Sequence, residues 1–413
     1  MLNKILEVDM KKFRFLIITT IFLLCLEAKG GEWIAQTLPP GDWALNAVHF
    51  VDSTRGVAVG PLNTVFYTND GGENWKTSIL PNLQNIYMLS EVYINSDGFG
   101  IIIGSNGLVL KTSNYGQSWE KLSFPATDYL NSLEISKYIW IVSQQGKIYF
   151  STDWGNSWLS HQQTFSFSLS SIKFVNPMVG FISSSEGPLL KTSNGGISWE
   201  TIEEVSNVNK IFFVDSLIGW VIGDKGYVAK TTDQGLTWEK INFPTTDYLT
   251  SLFFVDNFHG WITTFSSKIF STTDGGQTWT LEYQNSQQYC YLFDIFFVNP
   301  QKGWAVGSGD RNNTILTYKS VSSFDEELKL DSSVFSIINN SLVFNFTKSD
   351  YRLSELKVYN LLGNQVLHYN FLDNPYPNNI INLDFLPYGL YFVELNFFLD
   401  QNLKSKVVKI LIN

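Results

Sequence analysis

Cysteine is almost missing from this chain of 413 residues, which holds only Cys25 and Cys290. Cys25 falls in an N-terminal apolar run, Phe15 to Leu26, that follows Lys11, Lys12 and Arg14 and ends in small residues near Ala28. That segment reads as an export signal, residues 1–28, and leaves one thiol in the mature chain. A lone thiol excludes a disulfide framework and a cysteine-based metal site, so stability has to come from packing. Arginine is equally scarce, with Arg55, Arg311 and Arg352 beyond the signal. No arginine cluster can be assembled from these, which excludes the bidentate carboxylate grip that such clusters provide. His49, His161 and His259 show no metal-binding spacing, so neither a metal nor a cofactor is expected, and each is expected to be packed or solvated. Apart from the signal no apolar run approaches the length of a membrane span. Acids outnumber bases 38 to 28, and removing three acids and four bases with the signal leaves 35 against 24. Nucleic acid and anionic membranes are therefore excluded as partners.

What the chain has in abundance is repetition. TNDGGENW, TSNYGQSW, STDWGNSW, TSNGGISW, TTDQGLTW and TTDGGQTW end at Trp75, Trp119, Trp158, Trp199, Trp238 and Trp279, spaced by 44, 39, 41, 39 and 41 residues. This period is that of one four-stranded propeller blade. Within each copy Asp70, Asn114, Asp153, Asn194, Asp233 or Asp274 is placed to accept backbone N–H groups across a turn, and the glycine two positions later permits φ > 0. A hydroxyl stands before the tryptophan in five of the six copies, Asn74 being the exception, and can cross-bond the turn. The tryptophan opens an outer strand and offers a large flat surface to a neighbouring sheet.

Seven short strands of the type GVAVG, GWVIG or GWAVG interleave with the six octapeptides. One blade thus lacks its outer strand, and GEWIAQTLP, with Trp33 lying 42 residues before Trp75, looks like the missing piece. The expected architecture is all-β: a seven-bladed propeller over residues 29–320 in which residues 31–39 complete a last blade built mainly from residues 286–320. Such closure removes an exposed sheet edge. A polar linker, 321–333, then leads to residues 334–413, whose short alternating strands suit a small immunoglobulin-like sandwich.

The octapeptide resembles the Asp-box, or bacterial neuraminidase repeat. Six near-identical copies around a ring argue for a structural part, because a catalytic group is needed once. The full repeat, from Phe212 through Pro244, resembles the photosystem II stability and assembly factors, seven-bladed propellers that bind a reaction-centre precursor and carry an arginine-rich surface. The resemblance implies the fold and a non-enzymatic binding role. It does not extend to the arginine surface, and a photosynthetic role is not expected. VYNLLGNQV with Gly363, then LPYGLYFVEL, which opens with Leu386 to Tyr391, then KSKVVKILIN at the end, resembles the C-terminal sorting domain of the type IX secretion system. That resemblance implies a Gram-negative bacterium of the Bacteroidetes type, contact of residues 334–413 with the secretion machinery, and release to the medium or the cell surface.

Two further readings stay open beside a monomeric secreted propeller that binds a protein or glycan. One is a glycoside hydrolase. Asp128 and Asp247 stand at equivalent places in FPATDYLNSL and FPTTDYLTSL, three blades apart, and paired carboxylates can hydrolyse a glycoside. The other is a structural surface component. A partner is expected at the channel mouth, where loops from each outer strand to the next inner strand carry Trp43, Tyr87, Tyr129, Phe165, Tyr248, Tyr289 and Tyr291. Turns on the same face add Asn106, Gln144, Glu186, Asp224, Lys225, Asp310 and Arg311. Aromatic rings with a few polar groups suit peptide or sugar recognition. The alternative for the same rings is burial as wedges between blades.

Overall fold

A computed structural model describes residues 31–41, 43–285, 287, 289–309 and 315–319. Beyond these it describes the strands 335–338, 341–344, 351–360, 365–370, 380–382, 389–399 and 402–412, with Leu383 and Leu386. The signal segment, the linker 321–333, Asp310, Arg311, Gly363, Pro387 and Tyr388 lie outside the described residues.

The described residues between Gly31 and Lys319 form one compact unit of seven four-stranded antiparallel sheets. The innermost strands are Ala47–Phe50, Leu89–Ile94, Leu130–Ile135, Ser171–Phe174, Val208–Phe213, Leu249–Phe254 and Tyr291–Asn299, here numbered as blades 1 to 7. Each touches the innermost strand of the next blade, and the last touches the first. The glycine-bracketed strands, such as Gly56–Gly60 and Gly219–Gly223, are the second of each blade, not the innermost. Their position explains their composition. A second strand is covered on both faces by adjacent blades and is buried throughout, as GVAVG is, whereas in AVHF beside it, at the channel edge of the sheet, His49 is only partly buried.

Blades are joined by a repeated aromatic stack. The second-strand Trp304, Trp140, Phe181, Trp220 and Trp261 lie against Phe50, Phe174, Phe213, Phe254 and Phe297 of the following blade, with ring centroids 3.4–5.1 Å apart and planes within 25°. The octapeptide tryptophan then meets the same phenylalanine edge-on, Trp75 on Phe50 at 5.9 Å and Trp279 on Phe254 at 6.0 Å. Each such pair contributes about 0.5–1.5 kcal/mol beyond its buried area.

The last blade takes its outer strand from the other end of the chain. Glu32–Ala35 pairs antiparallel with Ile315–Lys319, Trp33 opposite Tyr318. The Trp33 ring is edge-on to Phe297 at 5.8 Å, the stacking place that Trp75 and Trp279 hold in their own blades. Its indole Nε1 donates to Glu282, and Gly31 N–H donates to the Tyr318 hydroxyl at 2.8 Å. Burial pushes that hydroxyl up to about 12.

The second unit, beginning at Ser323, contains a three-stranded sheet of Phe335–Ile338, Ser341–Phe344 and Ile380–Asn382. It also contains a four-stranded antiparallel sheet in the order Gln365–Asn370, Tyr351–Asn360, Gly389–Leu399, Asn402–Ile412. Leu356, Val358, Tyr391 and Val393 are buried on this sheet.

Candidate functional site

The octapeptides are turns, and their polar groups are consumed inside them. Asp153 Oδ1 accepts the Ser157 N–H at 2.8 Å, and the Ser157 hydroxyl donates to Oδ2 at 2.6 Å. Asp70, Asp233 and Asp274 bond in the same way, with Asn74 Nδ2 replacing the hydroxyl at Asp70. In the asparagine copies the direction reverses: Asn114 and Asn194 donate Nδ2 to the hydroxyls of Ser118 and Ser198. The first hydroxyl of each copy carries as much of the turn, for Thr68 donates to Asp70 and accepts the Gly72 N–H at 2.9 Å. The residue before the glycine also has φ > 0, at Tyr115, Trp154 and Gln234 without help from glycine. Four of the six tryptophans, Trp75, Trp119, Trp158 and Trp199, are buried, and Trp238 and Trp279 are half-buried.

Across the ring from these turns, the mouth face does not present one exposed ring per blade. Tyr87 is sealed at 4% exposure between blades 1 and 2, with Lys121 over its ring, so it is a wedge. Phe165 packs on Phe167, and Trp43 packs edge-on against Phe66 while donating Nε1 to Pro39 O at 2.7 Å. Tyr129 is half-buried, its N–H bonded to Gln145 Oε1. Lys225 is exposed on its turn at φ 53.

The aromatic character is instead concentrated on blades 6 and 7. Tyr248 is 40% exposed, Phe265 45% and Tyr289 70%. Phe265 stacks on Tyr291 at 4.4 Å, with Phe293 at 6.1 Å, and its N–H donates to Tyr248 O. Phe265 and Phe293 were not singled out from sequence. The signal for Phe293 is its placement two residues after Tyr291 on one strand, whereas Phe265 sits in a turn with no distinguishing pattern. Exposed Leu62, Ile86 and Met88 lie on the corresponding loops of blades 1 and 2.

Neither acid of the alternative, hydrolytic reading is free. Asp128 is 8% exposed and accepts the Tyr149 hydroxyl at 2.6 Å, with Ser143 and Lys147 also bonded. Asp247 is bonded to Ser266 and to Lys268 Nζ at 2.9 Å, and these bonds hold its carboxyl below the usual range against the opposing effect of burial. Arg55 is bound to Asp52 at 2.6 Å and lies over the Tyr115 ring, on the octapeptide face.

The channel holds a cavity of about 340 Å³, lined by all seven innermost strands. Register shifts in five of these strands turn side chains toward the next blade. There Asn131 and Asn209 donate Nδ2 to Leu169 O at 2.7 Å and Leu249 O at 2.8 Å. Two tiers line the lumen. The tier nearer the mouth has Glu91, Ser132, Ser171, Lys210, Ser251 and Asp294; the next has His49, Tyr93, Glu134, Lys173, Phe212, Phe253 and Phe296. Innermost strands are sheet edges, and acids of the first tier cap their free N–H groups: Glu91 accepts Leu133 N–H, and Asp294 accepts Val48 N–H at 3.1 Å.

The Glu91–Lys210 ion pair, 3.6 Å, spans the lumen from blade 2 to blade 5. Lys173 pairs with Glu134 at 3.1 Å. Burial raises both glutamates above the ordinary carboxylate range. The remaining five positions of the deeper tier form a continuous arc of rings, Phe212–Phe253–Phe296–His49–Tyr93, with centroids 4.5–5.1 Å apart. Burial, with the Lys173 charge, lowers His49 to about 3 and keeps the imidazole neutral.

Residues 27–165, 162–247 and 230–311 match the family described as Photosynthesis system II assembly factor YCF48. The chain belongs to that family. Residues 338–413 match the Secretion system C-terminal sorting domain, which directs a chain to the cell surface or the exterior by contact with the type IX secretion machinery. A photosystem II assembly lipoprotein Ycf48 of Synechococcus sp. (strain CC9902) is 28% identical over 117 residues, 27% of this chain and 34% of that protein. The chain thus spans about a third of the length of that curated relative. Among solved structures, YCF48 bound to D1 peptide superposes with a TM-score of 0.59 at 21% identity, covering 71% of this chain and 98% of that one. YCF48 from Cyanidioschyzon merolae gives 0.57 at 20%, covering 70% and 98%. At these identities the superpositions establish the family's fold. Among the described residues no helix is long and apolar enough to cross a membrane.

Proposed function

We propose that this member of the YCF48 family is a secreted or surface-held propeller that binds a protein or glycan at the mouth of its channel and catalyses no reaction. The observation that carries this reading is the aromatic patch on one sector of the mouth face, where Tyr248, Phe265 and Tyr289 are exposed and Phe265 stacks on the half-buried Tyr291. Clustered aromatic rings of this kind anchor peptides and stack on sugar rings. A solved relative with the same fold carries a peptide, which supports a protein ligand. The engagement of Asp128 with Tyr149 and of Asp247 with Lys268 disfavours the hydrolytic alternative, since each carboxylate serves its own blade.

The test is a capture experiment with the full mature chain against outer-membrane extract and a glycan array, in parallel with Tyr248→Ala and Phe265→Ala. Each substitution should weaken capture by about 1–3 kcal/mol while leaving the melting temperature nearly unchanged, because an exposed ring adds little to the core. Undiminished capture by both variants would move the binding face elsewhere. Release of reducing ends from a glycan, abolished in Asp128→Asn, would replace the reading by hydrolysis.

A further inference from the structure

Charge and hydrogen-bond capacity inside the lumen are unbalanced. Three carboxylates, Glu91, Glu134 and Asp294, face two ammonium groups, Lys173 and Lys210. The lysines bond to Glu134 at 3.1 Å and Glu91 at 3.6 Å. Asp294 takes its hydrogen bonds from neutral donors, the Ser251 hydroxyl at 2.7 Å and Val48 N–H at 3.1 Å, though both oxygens can accept more. With His49 neutral, one negative charge is left over in a space where charge is poorly solvated. His49 Nδ1 lines the same cavity, and it is buried without a hydrogen-bond partner. The surplus is thus of negative charge. Next to it runs the arc of aromatic rings, which offers apolar surface and attraction for a cation. Among the described residues no three His, Cys, Asp or Glu side chains converge to ligate a metal ion, and the three carboxylates stand apart on blades 2, 3 and 7. A cavity of about 340 Å³ has the size of a small-molecule site.

We propose that the channel lumen binds a small organic ammonium ion, its charged head against Asp294 and its apolar body along the arc from Phe212 to Tyr93. This site is separate from the mouth patch, and either can fail without the other.

The experiment is isothermal titration and thermal melting of the full mature chain with n-butylammonium chloride, with sodium chloride and n-butanol as controls at matched concentration. A saturable one-to-one heat and a rise in melting temperature are expected for n-butylammonium alone. Asp294→Asn should weaken it at least about tenfold by removing a charge-assisted bond. Phe253→Leu should weaken it too, and it serves if Asp294→Asn does not fold. An equal response to sodium would mean that any small cation suffices, and no response to n-butylammonium would mean that the lumen holds water only. Affinity undiminished in both variants would place the ion elsewhere. Each of these three results overturns the proposal.

Discussion

His49 couples this ring to acid. Its folded value of about 3 lies below the ordinary 6.5, so the unfolded chain takes up a proton that the folded chain refuses. The contribution of His49 is therefore fully present above about pH 6.5 and is lost as pH falls toward 3, by up to about 1.4 kcal/mol per pH unit. Glu91 and Glu134, raised by burial, act the other way, since protonating them on acidification relieves a desolvated charge. Asp153 and Asp233, lowered to about 2 chiefly by the bonds of Ser157 and Thr237, add a loss only below about pH 4. His49→Phe, which extends the phenylalanine arc, should flatten the melting temperature between pH 6.5 and 4. An unchanged slope would assign the acid response to another group. Gly196 shows how tightly an octapeptide turn is set: its φ is +83°, and an added Cβ would lie 2.4 Å from the Trp140 ring. Gly196→Ala should cost about 2–4 kcal/mol in chemical denaturation, from strain at positive φ together with overpacking.

At the scale of the element, the four-residue strand Glu32–Ala35 matters more than its length suggests, because it covers an edge and fills an aromatic socket. Trp33 is 8% exposed and touches Phe297 and Tyr318, so Trp33→Ala should cost about 3–5 kcal/mol, as removal of a buried aromatic does. Deleting residues 31–41 removes the strand and bares Ile315–Lys319. A melting temperature equal to that of the mature chain after this deletion would show that the ring is held by the other inter-blade stacks alone.

For the whole molecule, the division near residue 322 separates a propeller with its own closed core from a tail that matches a sorting domain. Truncation after Ser333 should leave a folded propeller with the melting transition of the intact ring, retained in the periplasm when expressed in a host with the type IX machinery. Appearance of that truncated form in the medium would remove the sorting role from residues 338–413.

Blade number and the octapeptide turns were legible in the chain because the pattern is local and repeated, and the sorting tail because its segments resemble a known domain. A turn needs its Asp or Asn, its hydroxyl and its glycine within eight residues, and the period writes that need six times. The linear pattern also placed GEWIAQTLP with the last blade, where Glu32–Ala35 pairs with Ile315–Lys319. The site was less legible. Tyr87 and Tyr248 occupy similar loops, yet one is 4% and the other 40% exposed, because exposure depends on which neighbouring loop covers the ring. The lumen was not legible at all. Glu91 and Lys210 are far apart in sequence and meet across a channel only because blades 2 and 5 face each other. His49 joins an aromatic arc drawn from five strands in the same way. Sequence determined what recurs along the chain, whereas ring closure alone decided which of the non-recurring residues share the axis.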